Sequence, residues 1–473
     1  MHMRLQRGQA LILIALAFLG LVAFIGLTVD AGILFIQIGH LRRAVDAAGL
    51  AAASQYLSTT TEPQLIATMK EFLELNGIDP EAASLDPKVC NLSPPSLPQF
   101  PGLHDASLCK ENNPWDYDRK LIRVKAELTV NFAFLPVIGL RSVNIKAETI
   151  AEAASLDLVL VIDTSQSMAI DSGDFPDCQD PLIHDPPVCQ PFEEVRVSAK
   201  RFVNQMSFPY DHVSIVNFDV DGYLPQPLTD NKAQILDVID NLRLGEQSVP
   251  DSDDPAGHLS TSIASGLDQA AEALENNGRD TSLWVVVLLS DGAANQARHP
   301  ETLEYICPGS VGEPTWIKPY CADGDGDTPA TRHTYDDDLY DTNDAAMDLA
   351  DLLGCYQYIN DDQSGYCKTF LDNYQPGGLA LDGFEALIFT IGMGDKMING
   401  TCDPYARTCY EDLGERVLRY IAAVGDDGNP LSDLCDGKPQ KTNCGNYYFA
   451  ETALDLDPVF TDIAKRVYTR ITH

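Results

Sequence analysis

Basic residues are scarce in this chain. Its 473 residues carry 32 Lys and Arg against 70 Asp and Glu, a formal net charge of -38. So acidic a surface repels phosphate backbones and anionic lipid headgroups, which argues against nucleic acid as a partner. Catalytic signatures are missing as well: the sequence has no G-x-S-x-G, no Walker loop and no H-E-x-x-H. No candidate serine has an evident His partner and nothing supplies a general base, so the chain reads as a binding protein and not as an enzyme. Nor is there a C-x-x-C, and the nine His do not cluster near the cysteines, which argues against zinc.

What the chain does have, near its start, is a long uncharged apolar run. Ala10 to Val29 gives twenty positions, enough to span a bilayer as a helix. The run is longer than a usual signal-peptide core and no small-x-small cleavage site closely follows it, so it reads as an uncleaved anchor. Flanking charge does not orient it, because Arg4 and Arg7 precede it while Arg42 and Arg43 follow it. The twelve cysteines do. They avoid the expected core strands and fall into sequence neighbours: Cys90 with Cys109, Cys178 with Cys189, Cys307 with Cys321, Cys355 with Cys367, Cys402 with Cys409, and Cys435 with Cys444. Twelve cysteines leave on the order of ten thousand pairings open. An even count confined to loops nonetheless points to disulfides in an oxidising compartment. The bulk of the chain is therefore expected outside the cytoplasm, at the cell surface or in the periplasm.

Chemistry concentrates in three stretches. Leu158 to Ile162 is an apolar, β-branched run typical of a fully buried strand. It breaks into Asp163-Thr164-Ser165-Gln166-Ser167, which sets a carboxylate and two hydroxyls at alternate positions just past the strand end. Ligands of open α/β sheets bind there. The simpler alternative is a polar turn whose Ser and Asp cap the next helix. His258 to Leu267 is a polar loop entering a helix and contains Thr261. Trp284 to Gly292 is a second buried strand, ending in Asp291-Gly292. Hard oxygen donors such as these suit Mg2+ or Ca2+ better than zinc.

Together the three stretches resemble the metal-ion-dependent adhesion site of a von Willebrand factor A domain. Asp163, Ser165 and Ser167 match its D-x-S-x-S, Thr261 its second-loop threonine, and Asp291 the aspartate after its fourth strand. One neighbour departs, Ser260 standing where the family usually has Gly. The resemblance implies a doubly wound, mostly parallel, Rossmann-like α/β sheet with one antiparallel edge strand. It also implies a divalent cation, Mg2+ first, with Ca2+ and Mn2+ as alternatives. In that family pattern Ser165, Ser167 and, depending on state, Thr261 ligate directly. Asp163 and Asp291 act largely through bound water, and an open position accepts an acidic side chain from a protein partner.

The residue pattern agrees, since strands and helices alternate. Strands are expected at His212–Val220, Ser282–Ser290, Ala386–Gly392 and Tyr447–Ala450. Helices are expected at Glu193–Gln205, Asn231–Leu242, Thr261–Asn276, Asn343–Leu353, Asp412–Ala423 and Pro458–Ile471. Asp221-Gly222 splits off Tyr223–Leu228 as the second strand of a hairpin.

Arg7 to Ser54 carries a second resemblance, through Arg7-Gly8 before the apolar run, Val29-Asp30-Ala31-Gly32, and Arg42-Arg43-Ala44-Val45-Asp46-Ala47-Ala48. It is similar to the N-terminus of the TadE/TadG family of tight-adherence (Flp) pilus assembly proteins. Gly8 before an apolar helix also looks like a prepilin cleavage site, but the fifth residue after it is Leu13 and not Glu. The expected layout is a tail at 1–9, a membrane helix at 10–29 continuing to about residue 56, a small α+β region at 57–154 packed against the A domain, and that domain at 155–473. Within the small region, Leu65–Asn76 reads as a helix, Asp79–Pro114 as a loop, and Leu121–Phe134 and Arg141–Glu152 as strands. The combination implies a membrane-anchored adhesion or docking protein of pilus assembly, whose partner is a pilus component or a host or surface ligand. The alternative is a structural pilus-base or pilus-tip component in which the cation only stabilises the fold.

Long insertions decorate the A domain at Ile170–Pro191, Ala293–Ala380, Lys396–Glu411 and Asp426–Cys444. Cys321–Asp351 holds ten Asp and one basic residue, Arg332. At its start, Asp323, Asp325 and Asp327 alternate with Gly like the first half of a calcium loop, a candidate second cation site, although Thr334 stands where an EF-hand needs Glu. The alternative is a solvated acidic loop.

Overall fold

A computed structural model describes residues 7–56, 60–90, 100–105, 107–108, 120–153, 155–169, 171–172, 177–245, 261–306, 331–355, 366–378, 383–394, 413–430 and 434–470. The chain divides after Ala153 into two compact units.

The first unit is built on α1 (Arg7–Ser54), a single helix of 48 residues. From Leu13 to Val29 it is a bare apolar rod, with Leu13, Leu16, Phe18, Leu19, Phe24 and Leu27 all exposed. Its C-terminal half is amphipathic. Leu41, Ala44, Val45, Ala48 and Ala52 recur at helical spacing and are buried against α2 (Glu62–Leu75) and an antiparallel sheet. Thr61 and Gln64 form a capping box at the start of α2. The sheet has the order β1 (Ala83–Val89), β2 (Lys120–Asn131), β3 (Ser142–Ala153). The strand β1 corrects the expectation of a loop over Asp79–Pro114. Pro87 argues against a strand in the sequence, but it faces Val124 on an edge strand, where a missing N–H costs no ladder bond.

The second unit is a six-stranded sheet of order β6 (Gly222–Thr229), β5 (His212–Phe218), β4 (Leu156–Asp163), β7 (Leu283–Ser290), β8 (Leu387–Met393), β9 (Tyr447–Ala450). Its centre is β4, flanked in parallel by β5 and β7. All eight residues of β4 are buried, because helices cover both faces. Beyond β7 lie β8 and β9, both parallel. The antiparallel edge is β6, reached from β5 through a turn at Asp219–Asp221, so Gly222, expected in the turn, instead opens the strand opposite Phe218. On one face α5 (Ile263–Asn277), α6 (Thr342–Gly354) and α8 (Leu413–Asp427) pack over Val159, Val161, Val286, Leu288 and Ile388. On the other, α3 (Phe192–Val203) meets α4 (Lys232–Asn241) and α9 (Leu456–Arg470), with Phe202 stacked on Phe460 at 4.7 Å between centroids.

A short helix inside the Ala293–Ala380 insertion, α7 (Tyr366–Asn373), packs on α6 through Phe370 and Leu371. The described part of the acidic stretch is divided: Asp336, Asp337 and Asp338 are exposed in a turn, whereas Asp341, Asp344, Asp348 and Asp351 are buried. Asp341 caps α6, accepting from the N–H groups of Asn343 and Asp344 at 2.8 and 3.0 Å. Asp348 and Asp351 are buried on Arg332, with Tyr340 donating to Asp348 at 2.8 Å and Tyr366 to Asp351 at 2.7 Å. The one basic residue of the stretch thus sits at its buried centre.

Three disulfides between described cysteines join sequence neighbours, Cys178–Cys189, Cys355–Cys367 and Cys435–Cys444, and Cys90 is disulfide-bonded as well. Each of the three holds a loop or a helix end that has little core of its own. Cys109, Cys307, Cys321, Cys402 and Cys409 lie outside the described residues.

Candidate metal centre

Strands β4 and β7 run side by side in parallel, Ile162 facing Leu289, with an aspartate at the end of β4 and another just past the end of β7. Asp163 closes β4, while Asp291 follows Ser290 at the end of β7. From β4 the chain crosses to β5 on one side and later returns to β7 on the other, so their C-terminal ends flank a topological switch point. Sheet topology, and not sequence proximity, brings residues 163 and 291 together.

Four of the five expected residues form one chain of oxygens. The Ser165 and Ser167 hydroxyls are 2.8 Å apart, and Ser167 donates to Asp291 Oδ1 at 2.6 Å. Asp163 lies beneath them, its Oδ1 accepting the Ser165 N–H at 2.8 Å. Its Oδ2 accepts the hydroxyl of Ser290 at 2.7 Å. Thr261 reaches the same rim: its Oγ1 lies 3.9 Å from the place a side chain on Gly292 would begin. Asn295 fixes its backbone, accepting the Thr261 N–H at 2.6 Å and donating its own N–H to the Thr261 carbonyl at 3.1 Å.

The floor of the site is buried. Asp163 is 0% exposed, and none of Ser165, Ser167, Thr261 and Asp291 exceeds 7%. Burial pushes the Asp163 carboxyl up, while hydrogen bonds from Ser165, Ser290 and the Asp291 backbone pull it back. Among the described residues no Lys or Arg forms an ion pair with Asp163, whereas Asp157 on the same strand is paired with Arg279. A buried carboxylate without a counter-charge is costly, and a cation offsets that cost. The donor set fits such a guest. An octahedral Mg2+ with oxygens at about 2.0–2.1 Å sets adjacent oxygens about 2.9 Å apart, close to the hydroxyl spacing here.

Two partners of the site were not apparent from the motif. Ser290 and Asn295 bracket Asp291 within the sequence Ser-Asp-Gly-Ala-Ala-Asn, and their hydroxyl and amide orient Asp163 and Thr261. Their only signal was position, beside an aspartate at a strand end.

The rim is stitched from further away. The Thr164 N–H donates to the Phe218 carbonyl at 2.8 Å, and the Gly245 N–H donates to the Thr164 carbonyl at 2.8 Å. Gly245 has no room for a side chain: a Cβ there would fall 2.0 Å from Asp219 Oδ2. The insertion after Ser167 leans on this segment, since the Gln179 amide accepts the Leu244 N–H at 3.0 Å and donates to the Leu244 carbonyl at 3.2 Å. Ser260, like Asp323, Asp325 and Asp327 of the candidate second cation site, lies outside the described residues.

Residues 158–293 match the family model of the von Willebrand factor type A domain. No curated protein matches the chain. Among solved structures it is similar to the pilus adhesin SpaC from Lactobacillus rhamnosus GG, at 15% identity and a TM-score of 0.37, over 81% of this chain and 35% of that one. It is similar to the von Willebrand domain of the type V pili tip protein Mfa5 from Porphyromonas gingivalis, at 16% identity and a TM-score of 0.34, over 67% and 96% of the two chains. A third is proximal thread matrix protein 1 from the mussel byssus, in a structure with a zinc-occupied MIDAS motif, at 14% identity and a TM-score of 0.33, over 67% and 46%. The chain thus spans less than half the length of the SpaC and mussel chains.

Proposed function

We propose that this chain is a membrane-anchored, extracytoplasmic A-domain protein that binds a protein partner through a divalent cation, in adhesion or in docking during tight-adherence pilus assembly. The observation that carries the reading is the buried Asp163, without an ion pair among the described residues, beneath the linked Ser165, Ser167 and Asp291 oxygens at the strand ends. A bound divalent cation, Mg2+ first among candidates, would supply an electrophilic point to which a partner's carboxylate can bind. Ser165, Ser167 and Thr261 would hold it by their hydroxyls, Asp163 and Asp291 by charge and through water. Few direct carboxylates leave such an ion electrophilic, which favours an incoming acidic side chain over simple storage of metal. The exposed apolar half of α1 supports the anchor. Three described loop disulfides support an oxidising compartment for the second unit. The pilus assignment rests on the sequence of Arg7 to Ser54.

A second reading, in which the cation only stabilises a structural pilus component, draws on the same burial: the site residues are mutually hydrogen-bonded and deep. Pulling down partners of the purified ectodomain with and without EDTA tests the proposal, with unfolding monitored in parallel. Partner capture that is lost in EDTA while the fold persists supports adhesion. Capture indifferent to EDTA, or lost only through unfolding, overturns it.

A further inference from the structure

The turn joining β2 to β3 is an apolar knuckle. Phe132 to Leu140 contains no charged residue, and its 3-10 turn, Leu135–Ile138, buries none of its side chains. Val137 is 89% exposed and Ile138 72%, with Phe134 and Leu140 also open. In a chain with net charge -38 this is an unusual surface, and a hairpin tip gains nothing from it in water.

The knuckle is not free to move. Asp30, on α1 at the end of the bare apolar half, accepts three consecutive backbone N–H groups from the turn: Ala133 at 2.7 Å, Phe134 at 2.9 Å and Leu135 at 2.7 Å. Asp30 is fully buried by this contact. One turn nearer the N-terminus, Gly26 leaves room for the ring-bearing side chain, Phe134 Cβ lying 2.9 Å from where a Gly26 Cβ would be. Four residues of helix are about 6 Å, so the turn overlaps the last turn of the apolar rod and does not stop above it. Exposed apolar surface on the knuckle is therefore continuous with exposed apolar surface on the helix.

We propose that the 134–140 knuckle is a second membrane contact, dipping into the outer lipid interface beside the anchor. This rests on the anchor reading of α1. The depth fits, because interfacial apolar segments bury themselves about 5–10 Å. Arg141, exposed directly after Leu140, is placed to reach lipid phosphates from the edge of the knuckle. The Asp30 carboxylate then has a defined task. It satisfies three N–H groups that would otherwise need water at a depth where water is scarce, and it sets the knuckle's height on the helix.

Tryptophan fluorescence of the full chain in liposomes tests this, reading each variant as a difference from the unsubstituted protein. Leu19→Trp reports on the anchor, Val137→Trp on the knuckle, and Glu152→Trp on the far end of the hairpin. With lipids brominated high in the acyl chain, Val137→Trp should lose most of its added emission and shift to the blue, while Glu152→Trp should be unaffected. With lipids brominated near the chain ends, Leu19→Trp should be the more strongly quenched. Adding Asp30→Ala to Val137→Trp should restore its emission if the carboxylate sets the height. Quenched Leu19→Trp with unquenched Val137→Trp overturns the knuckle proposal and leaves the anchor standing; blue-shifted but unquenched emission from Val137→Trp would assign the knuckle to a protein contact instead. Unquenched Leu19→Trp overturns the anchor and the knuckle with it.

Discussion

Arg279 Nη2 lies 2.6 Å from Asp157 Oδ1 in an ion pair that is almost wholly out of water. The arginine also donates through Nε to Asp157 Oδ1 at 2.9 Å and through Nη1 and Nη2 to the carbonyls of Tyr210 and Leu156. Its backbone N–H reaches Asp157 Oδ2 at 2.6 Å. Asp157 and Asp163 stand six residues apart on β4, an even spacing that gives both the same side of the strand. One end of the strand therefore carries a compensated carboxylate that locks the loop after α5, and the other, at the candidate centre, one without an ion pair among the described residues.

Removing one partner of this pair should be costly. Arg279→Met leaves a buried charge behind and is expected to destabilise the second unit by about 3–5 kcal/mol. Replacing both residues with apolar ones should recover much of that loss. Urea unfolding checks the direction, and cation affinity should stay unchanged in any folded variant, because the site lies at the other end of the strand. A small loss in the single mutant would show that water reaches the pair.

At the site, Asp163→Ala should abolish cation binding while the sheet stays folded. Ser290→Ala is the more discriminating change. It removes the hydroxyl that orients Asp163 Oδ2, and loss of such an orienting partner typically weakens a metal site about 10–100-fold. Titration with Mn2+, followed by its paramagnetic signal, measures both. Wild-type affinity in Ser290→Ala would remove it from the site.

How legible was this in the sequence? The parallel sheet was, because Leu158–Ile162 and Val285–Leu289 are continuous apolar runs that only strands covered on both faces need. The convergence of Asp163, Ser165, Ser167 and Asp291 was legible through the resemblance to the A-domain motif, and the strand order supplies its physical reason, since strand ends meet at a switch point. Less legible was whatever depends on a distant partner. Nothing local to Asp157 says that Arg279 will neutralise it. Asp348 and Asp351 look solvated until Arg332 is folded in beneath them. The strand β1 was hidden by Pro87, whose tolerance depends on being at an edge. Asp30 could be read as a motif residue, but its three acceptor bonds to residues 133–135 span more than a hundred positions.

His212 opens β5 half-buried, and burial, with Arg279 nearby, pushes its imidazole below the ordinary value. Its folded pKa is therefore lower than its unfolded pKa of about 6.5. As pH falls, the unfolded chain takes up this proton first. The stability present above about pH 6.5 is then lost on acidification, at no more than about 1.4 kcal/mol per pH unit. Urea midpoints compared between wild type and His212→Gln, from about pH 7.5 to about pH 5, isolate the contribution. Wild type should lose more stability than the variant; parallel curves would show that the imidazole titrates as if in water.

On the proposed function, the insertion between Ser167 and α3 is expected to bear on partner choice. Its root is closed beside the site, the Asp171 N–H donating to the Gln190 carbonyl at 3.0 Å and the Gln190 N–H to Ser172 Oγ at 2.5 Å. Gln179 ties its body to Leu244, next to the Gly245 that holds Thr164, and Cys178–Cys189 closes it. The loop presents Leu182, 92% exposed, and Ile183 to solvent, together with the carboxylates of Asp177 and Asp185. On that reading, such a wall would disfavour a strongly acidic ligand and admit a single carboxylate set in a neutral or basic, partly apolar surround. Replacing Ser172 to Gln190 with a short Gly-Ser turn should leave cation affinity in place, because Asp163, Ser165, Ser167, Thr261 and Asp291 remain. Partner affinity should fall or change in specificity. Gln179→Ala separates the two ways this can happen: it loosens the loop from Leu244 without removing the tip. A change in the deletion but not in Gln179→Ala assigns recognition to the tip itself, and a change in both assigns it to the loop's fixed position. An unchanged partner profile in the deletion excludes the loop from recognition.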